Sequence, residues 1–391
     1  MTASGIGLVL LVACVVAMLS RRLRLPYSVG LVVAGIGLAV LGGPIDFTLA
    51  SDLIFPVLLP PLIFEAALQI KWRRFRDDLP VSLTLAFPGV LLAGAIIAAG
   101  MHLVIGWSWL GSALFGALIA ATDPVSVIAA FKEMKVEPRL SLLVESESLL
   151  NDGAAAVAFA ILASVANGAT LEPMNMAGSL LWMVAGGVVA GGLVAGALLL
   201  LAGRTEDHLV EITLTTIAAY GSFLLAEHFH MSGVLATLSA GLIVGNVGWK
   251  GSISEAGREH VVAFWEYAAF LANSVVFILI GGHEANHAAQ LLSVAAAVAV
   301  PLVLVSRWAA VYPLCALFAR STRRVDPRHQ HVLFWGGLRG ALALALALAI
   351  PASVPEKNAI LIAAFSVVAF SIFIQGLSMP WLIRTLRLKA R

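Results

Sequence analysis

Glu145-Ser146-Glu147-Ser148-Leu149-Leu150-Asn151-Asp152-Gly153 sits inside an apolar run covering about residues 140–166. Ser148 and Asp152 are four residues apart, so on a helix they share one face, and Glu147 and Asn151 share the neighbouring one. One face thus offers a hydroxyl and a carboxylate, the other a carboxylate and an amide. Ionisable groups at lipid depth cost roughly 2.5–3.5 kcal/mol each on insertion scales and mark function by default. Asp152, followed by the small residues Gly153-Ala154-Ala155-Ala156, has no persuasive structural reading.

The rest of the chain supports lipid as the solvent. Of 391 residues, 60% are hydrophobic and 12% charged, with a mean hydropathy of +0.98. Soluble domains run about 45–50% apolar and about 25% charged. A soluble globule, a disordered chain and a nucleic-acid binder are therefore excluded, and a net charge of +2 says nothing about partners. Cys14 and Cys315 lie in apolar runs, so no disulfide framework or metal cluster is expected. Runs of about 20 apolar residues predict thirteen spans, at about 4–20, 25–41, 50–70, 80–104, 108–131, 140–166, 178–203, 208–228, 231–248, 260–282, 289–319, 329–350 and 355–386. The first lacks the basic start and small-residue cleavage site of a signal peptide, and Arg21, Arg22 and Arg24 follow it.

The basic residues test that count. Twenty-one of 24 fall on one side of the predicted membrane, among them Lys71, Arg73, Arg74 and Arg76, Arg204, and Lys389 and Arg391. Lys357 alone falls on the other, and Arg307 and Arg339 lie within spans. This asymmetry predicts an inner (cell) membrane protein with the N-terminus outside and the C-terminus cytoplasmic. If spans one to six and eight to thirteen are two units, the odd offset makes them inverted repeats. Asp123-Pro124 in span five and Gly336, Gly337 and Gly340 around Arg339 in span twelve then occupy corresponding positions as helix breaks. The fold class is all-α polytopic, two inverted six-helix repeats with crossed broken helices.

Other charges and polar groups have competing readings. Oxygen donors suit a hard cation: Asp152 and Ser148 supply two, a Thr122-Asp123-Pro124 break adds the Thr122 hydroxyl or a carbonyl freed by Pro124, and Glu65 adds a carboxylate. Asp123 also reads as a helix cap, and Glu65 reads as either site or structure. Glu147 reads as the buried anion that Arg307 or Arg339 requires. Glu145 reads as solvated, Glu211 and Glu227 as interfacial, and His283 and His287 with Glu284 as a solvated loop rather than a metal site.

Thr122-Asp123-Pro124, Glu147-Ser148-Leu149-Leu150-Asn151-Asp152 and Gly336-Gly337-Leu338-Arg339-Gly340-Ala341 resemble the monovalent cation/proton antiporters of the NhaP type, relatives of the animal sodium/proton exchangers. Leu59-Pro60-Pro61, Phe64-Glu65 and Ser232-Gly233-Val234-Leu235-Ala236 also fit, in the expected order along nearly the whole chain. The resemblance implies a transporter rather than an enzyme: secondary active exchange of Na+, or of Li+ or K+, for H+ by alternating access. The Asn151-Asp152 pair resembles the electroneutral branch. It implies Asp152 as shared carrier, with Ser148, Glu65 and Thr122 as Na+ ligands, and Asn151, Glu147, Arg307, Asp123 and Arg339 as support. It implies a homodimer in the bilayer, with no cofactor beyond the transported ions and no nucleic acid. Scaffold and dimer helices would occupy about 4–70 and 208–282, and core helices about 80–166 and 289–386, in one transmembrane domain over 1–391. The chain stops shortly after its last span, so no cytosolic regulatory domain is expected. A channel would need repeated polar rings along a pore, and an organic-anion symporter would have few buried acids; neither matches one belt rich in carboxylates.

Overall fold

Apolar runs without strand punctuation fold as helix, and the computed structural model contains no strand among the residues it describes, 3–23, 26–41, 54–169, 173–203, 206–286 and 293–388. The helices are α1 (Ala3–Leu23), α2 (Tyr27–Val40), α3 (Leu59–Gln69, entered through a π-helical turn at Ile54–Leu58) and α4 (Trp72–Gly100). The broken pair α5a (Trp109–Ala120) and α5b (Val125–Met134) comes next, then α6 (Pro138–Ala166) and α7 (Pro173–Ala202). After them run α8 (His208–His228), α9 (Gly233–Asn246), α10 (Glu255–Asn286) and α11 (Val294–Ala316). The second broken pair is α12a (Pro327–Trp335) and α12b (Ala341–Leu348), followed by α13 (Lys357–Phe370, continued by a π-helical turn at Ser371–Gly376 and by Leu377–Thr385). Helical structure thus occurs in every predicted span. Seven of the described helices are long and apolar enough to cross a membrane, and five shorter apolar ones accompany them. Arg24, Arg204, His287, Lys389 and Arg391 lie outside the described residues.

Local chemistry explains the ends and breaks. Ser108 starts α5a by accepting the Gly111 N–H at 3.1 Å, and Asp326 starts α12a by accepting the Arg328 N–H at 2.8 Å, each satisfying one orphan donor of a first turn. Pro80 and Pro88 are carried inside α4, where the Thr84 hydroxyl bonds back to the Pro80 carbonyl at 2.7 Å. Glu211, read as interfacial, is instead buried at 1% exposure. Its carboxylate accepts the Ser254 N–H at 2.7 Å just ahead of α10, so it caps a helix entrance rather than facing water.

The densest packing falls in two groups. In one, α10 lies along α2 and against α3, while α9 lies between α3, α7 and α8. In the other, α4 packs on α5a, α6 and α11, and α13 packs on α11 and α12b. Contacts between the groups are sparser and run mainly through α6 against α3, α7 and α9. Small residues permit close approach: a Cβ at Gly35 of α2 would strike the Ile278 carbonyl of α10. Large apolar side chains such as Leu91, Leu193 and Trp381 point outward, where lipid rather than water is the compatible surrounding.

Candidate functional site

The two helix breaks cross. The Asp123 N–H donates to the Leu338 carbonyl at 2.8 Å, joining one break to the other through main chain. Four half-helix ends converge here, and each has a partner of suitable sign. Asp123 accepts the Val125 N–H at 2.9 Å at the start of α5b, and the Ala341 N–H at the start of α12b also reaches its carboxylate. Arg339, 1% exposed, donates to the carbonyls of Ala120 and Ala121 at 3.1 and 3.0 Å, closing the end of α5a. Arg307 donates to the Leu333 carbonyl at 3.0 Å, and Gln375 donates to the Trp335 carbonyl at 3.1 Å, closing the end of α12a. Glycine is required where these groups crowd the backbone. A Cβ at Gly340 would run into the Asp123 carboxylate, and one at Gly337 would meet Arg307 Nε at 2.7 Å.

Behind the crossing, α6 supplies a fully paired network. Arg307 holds Glu147 bidentately at 2.8 and 2.9 Å. Asn151, fully buried, donates to Glu147 Oε1 at 2.8 Å and to Thr122 Oγ1 at 2.6 Å, and accepts the Thr122 N–H at 3.1 Å. Thr122 in turn donates to Ser148 Oγ at 3.3 Å, and Ser148 Oγ donates to the Thr122 carbonyl. The unwound residue before Asp123 is thus clamped to α6 by two side chains one turn apart. A hydroxyl has two acceptor lone pairs, so Ser148 keeps one for another partner.

Asp152 is different. It is half-buried, has no hydrogen-bond partner among the described residues, and faces a cavity of about 450 Å³. Thr122, Asp123, Ser148 and Glu65 line the same cavity. Glu147, Asn151, Arg307 and Arg339 do not; they stand behind its wall. At about 30 Å³ per water, the volume admits a cation with part of its hydration shell. Glu65 accepts from Gln69 Nε2 one turn away on α3.

The cavity also has lining that the sequence reading did not assign. Tyr27 of α2, Gln69 of α3, and Glu266, Phe270 and Asn273 of α10 contribute, and Glu145, read as merely solvated, lines it too. Glu266 and Asn273 stand seven residues apart on one face of α10, with the apolar Ala269 and Phe270 between them, so no polar periodicity marks that face in the sequence. No group of three or more His, Cys, Asp or Glu suited to a metal centre occurs among the described residues. The side chains of His283 and Glu284 are outside the description.

Comparison with known proteins identifies the family and the fold. The family model "Sodium/hydrogen exchanger, transmembrane" matches residues 8–385. The Na(+)/H(+) antiporter ApNhaP of Aphanothece halophytica is 36% identical over 380 residues, covering 93% of this chain and 70% of that protein. The low-affinity Na(+)/H(+) antiporter NhaS1 of a Synechocystis strain is 35% identical over 403 residues, covering 97% and 74%. Among solved structures, the sodium proton antiporter MjNhaP1 from Methanocaldococcus jannaschii is similar in fold, with a TM-score of 0.78 at 20% identity, covering 97% of each chain.

Proposed function

This chain belongs to the sodium/hydrogen exchanger family, and we infer that it is a secondary active antiporter exchanging Na+ for H+ by alternating access, with Asp152 as the group both ions share. It is a transporter and not an enzyme. The observation that carries the reading is the contrast between two acids of one helix. Glu147 is neutralised by Arg307 and set behind the cavity wall, whereas Asp152 faces the cavity without a hydrogen-bond partner among the described residues. A bare carboxylate is expensive to carry through lipid. Asp152 therefore crosses only when it holds a proton or a cation, and the two exclude each other. Thr122, Ser148 and Glu65 supply further oxygens to the cation, and Asp123 and Arg339 hold the half-helix ends in register.

Two cavities support alternation. The one at Asp152 reaches Gln69, Ala129 and Glu145, at the end where the basic residues gather. A second, of about 770 Å³, lies toward Glu227 and His230 at the other end. Asp152 lines the first and Ala156, one turn on, lines the second; Leu342 and Leu346 repeat this on α12b. One helical turn of each, about 5.4 Å, separates the two. The contact between groups that closes this gap includes Gly153, whose Cβ would strike Leu235. Movement of about one turn by α4–α6 and α11–α13 against α1–α3 and α8–α10 transfers Asp152 from one cavity to the other. The basic asymmetry supports a reading in which the first cavity opens to the cytoplasmic side of the cell membrane, with the N-terminus outside and thirteen crossings. A homodimer held through the scaffold group follows from the family resemblance. The reading is tested by Asp152→Asn in proteoliposomes. Cation-driven proton movement should vanish while the protein reconstitutes normally, and its persistence would overturn the assignment.

A further inference from the structure

Part of the cavity wall is built by α10, whose residues Glu266, Ala269, Phe270 and Asn273 follow the i, i+3, i+4, i+7 spacing of one helical face. Phe270 and its neighbours Tyr27 and Ser274 are partnered. Phe270 stacks on Tyr27 with centroids 5.3 Å apart, the Tyr27 hydroxyl shares a hydrogen bond of 2.8 Å with Ser274, and Ser274 Oγ donates to the Phe270 carbonyl at 2.5 Å. Asn273 breaks the pattern: its Oδ1 is buried and has no hydrogen-bond partner. Asn273 is half-buried as a residue, and the other amides like it are bonded: the half-buried Asn246 and the buried Asn151 and Gln375 all have partners. An unpaired buried amide is destabilising, and native exceptions occur at functional sites. Rotation about χ2 exchanges the two ends of the amide, and no hydrogen bond among the described residues opposes it.

We propose that Asn273 is a cation ligand contributed by the scaffold wall, giving a neutral amide oxygen to the Na+ held by Asp152 while the cavity is open toward Gln69 and Glu145. Amide oxygens are ordinary ligands of hard cations, and a neutral one adds affinity without changing the charge that crosses. The inference rests on the antiport reading above. Because α10 belongs to the group that stays in place, the ligand is left behind when Asp152 moves. Asn273 therefore strengthens binding from the Asp152 cavity side and not from the other side.

The test uses the full-length protein in everted and right-side-out vesicles, with Na+, Li+ and K+ each as the offered cation. Asn273→Ala should raise the apparent KM for Na+ about three- to tenfold when Na+ is presented on the Asp152 cavity side, with maximal rate and ion stoichiometry retained. Asn273→Ser, which keeps an oxygen, should recover part of the loss. Asn273→Leu removes the unpaired amide at similar volume. It should be at least as stable as the parent in cation-free detergent solution, but with a smaller Na+-induced rise in melting temperature. An unchanged KM, an equal change from both sides, or a destabilised Leu variant overturns the proposal. If the parent itself shows no exchange, or Asp152→Asn retains it, the antiport reading has failed instead.

Discussion

Glu147→Ala separates the supporting network from the ion site. Glu147 is 2% exposed and accepts three hydrogen bonds, two from Arg307 and one from Asn151. The substitution leaves Arg307 buried with, among the described residues, only the Leu333 carbonyl as partner. Removing one member of a buried ion pair costs about 3–5 kcal/mol, and the lost Asn151 bond adds about 1 kcal/mol. A penalty of that size rivals the whole stability of many domains, about 5–15 kcal/mol. Expression and thermal stability in detergent should therefore fall sharply. Glu147→Gln combined with Arg307→Gln keeps hydrogen-bonding atoms without the charges and should recover more than half of the loss, since the single change is dominated by the stranded guanidinium. Cation affinity should respond far less, because Glu147 does not line the cavity. In whatever Glu147→Ala protein can be reconstituted, the KM for Na+ should stay within about threefold of the parent, well under the tenfold that 1.4 kcal/mol would produce. Fluorescence-detected size exclusion with thermal challenge measures the first effect and proteoliposome exchange the second. A well-folded variant with a KM raised more than tenfold would refute the division, placing Glu147 among the ion's own ligands.

Two further outcomes follow. Gly340→Ala places a methyl group against the Asp123 carboxylate and separates it from the Ala341 N–H, so exchange should be lost in protein that still inserts, read by parallel membrane blots and transport. Competition at one carboxylate should appear as an apparent KM for Na+ that climbs toward tenfold per pH unit at the acid end while the maximal rate at saturating Na+ holds; a KM independent of pH would mean separate sites for the two ions.

The site was legible where its logic is local. The i, i+4 spacing of Ser148 with Asp152 and Glu147 with Asn151 needs only helical geometry, and α6 presents the pairs on two faces, one to the cavity and one to Arg307. The break at Thr122-Asp123-Pro124 follows from a proline without an N–H, and the glycines around Arg339 mark its counterpart. What the sequence did not reveal depends on long-range placement. Nothing near Asn273 in the chain says that α10 faces Asp152 from more than a hundred residues away. Gln375 gave no hint that it would cap α12a across 40 residues. Glu145 and Glu211 were judged by distance from a span end, yet packing decided both: one lines the cavity, and the other closes the start of α10.

One carboxylate, Asp152, carries both ions in the proposed exchange. The most direct measurement compares the parent with Asp152→Asn, both purified and reconstituted, by recording protons released on Na+ binding by calorimetry in buffers of different ionisation enthalpy, together with exchange in the same preparations. Asp152 as the shared site predicts proton release on Na+ binding in the parent, and neither release nor exchange in a stably folded Asp152→Asn protein. Proton release and exchange that survive the substitution would contradict it.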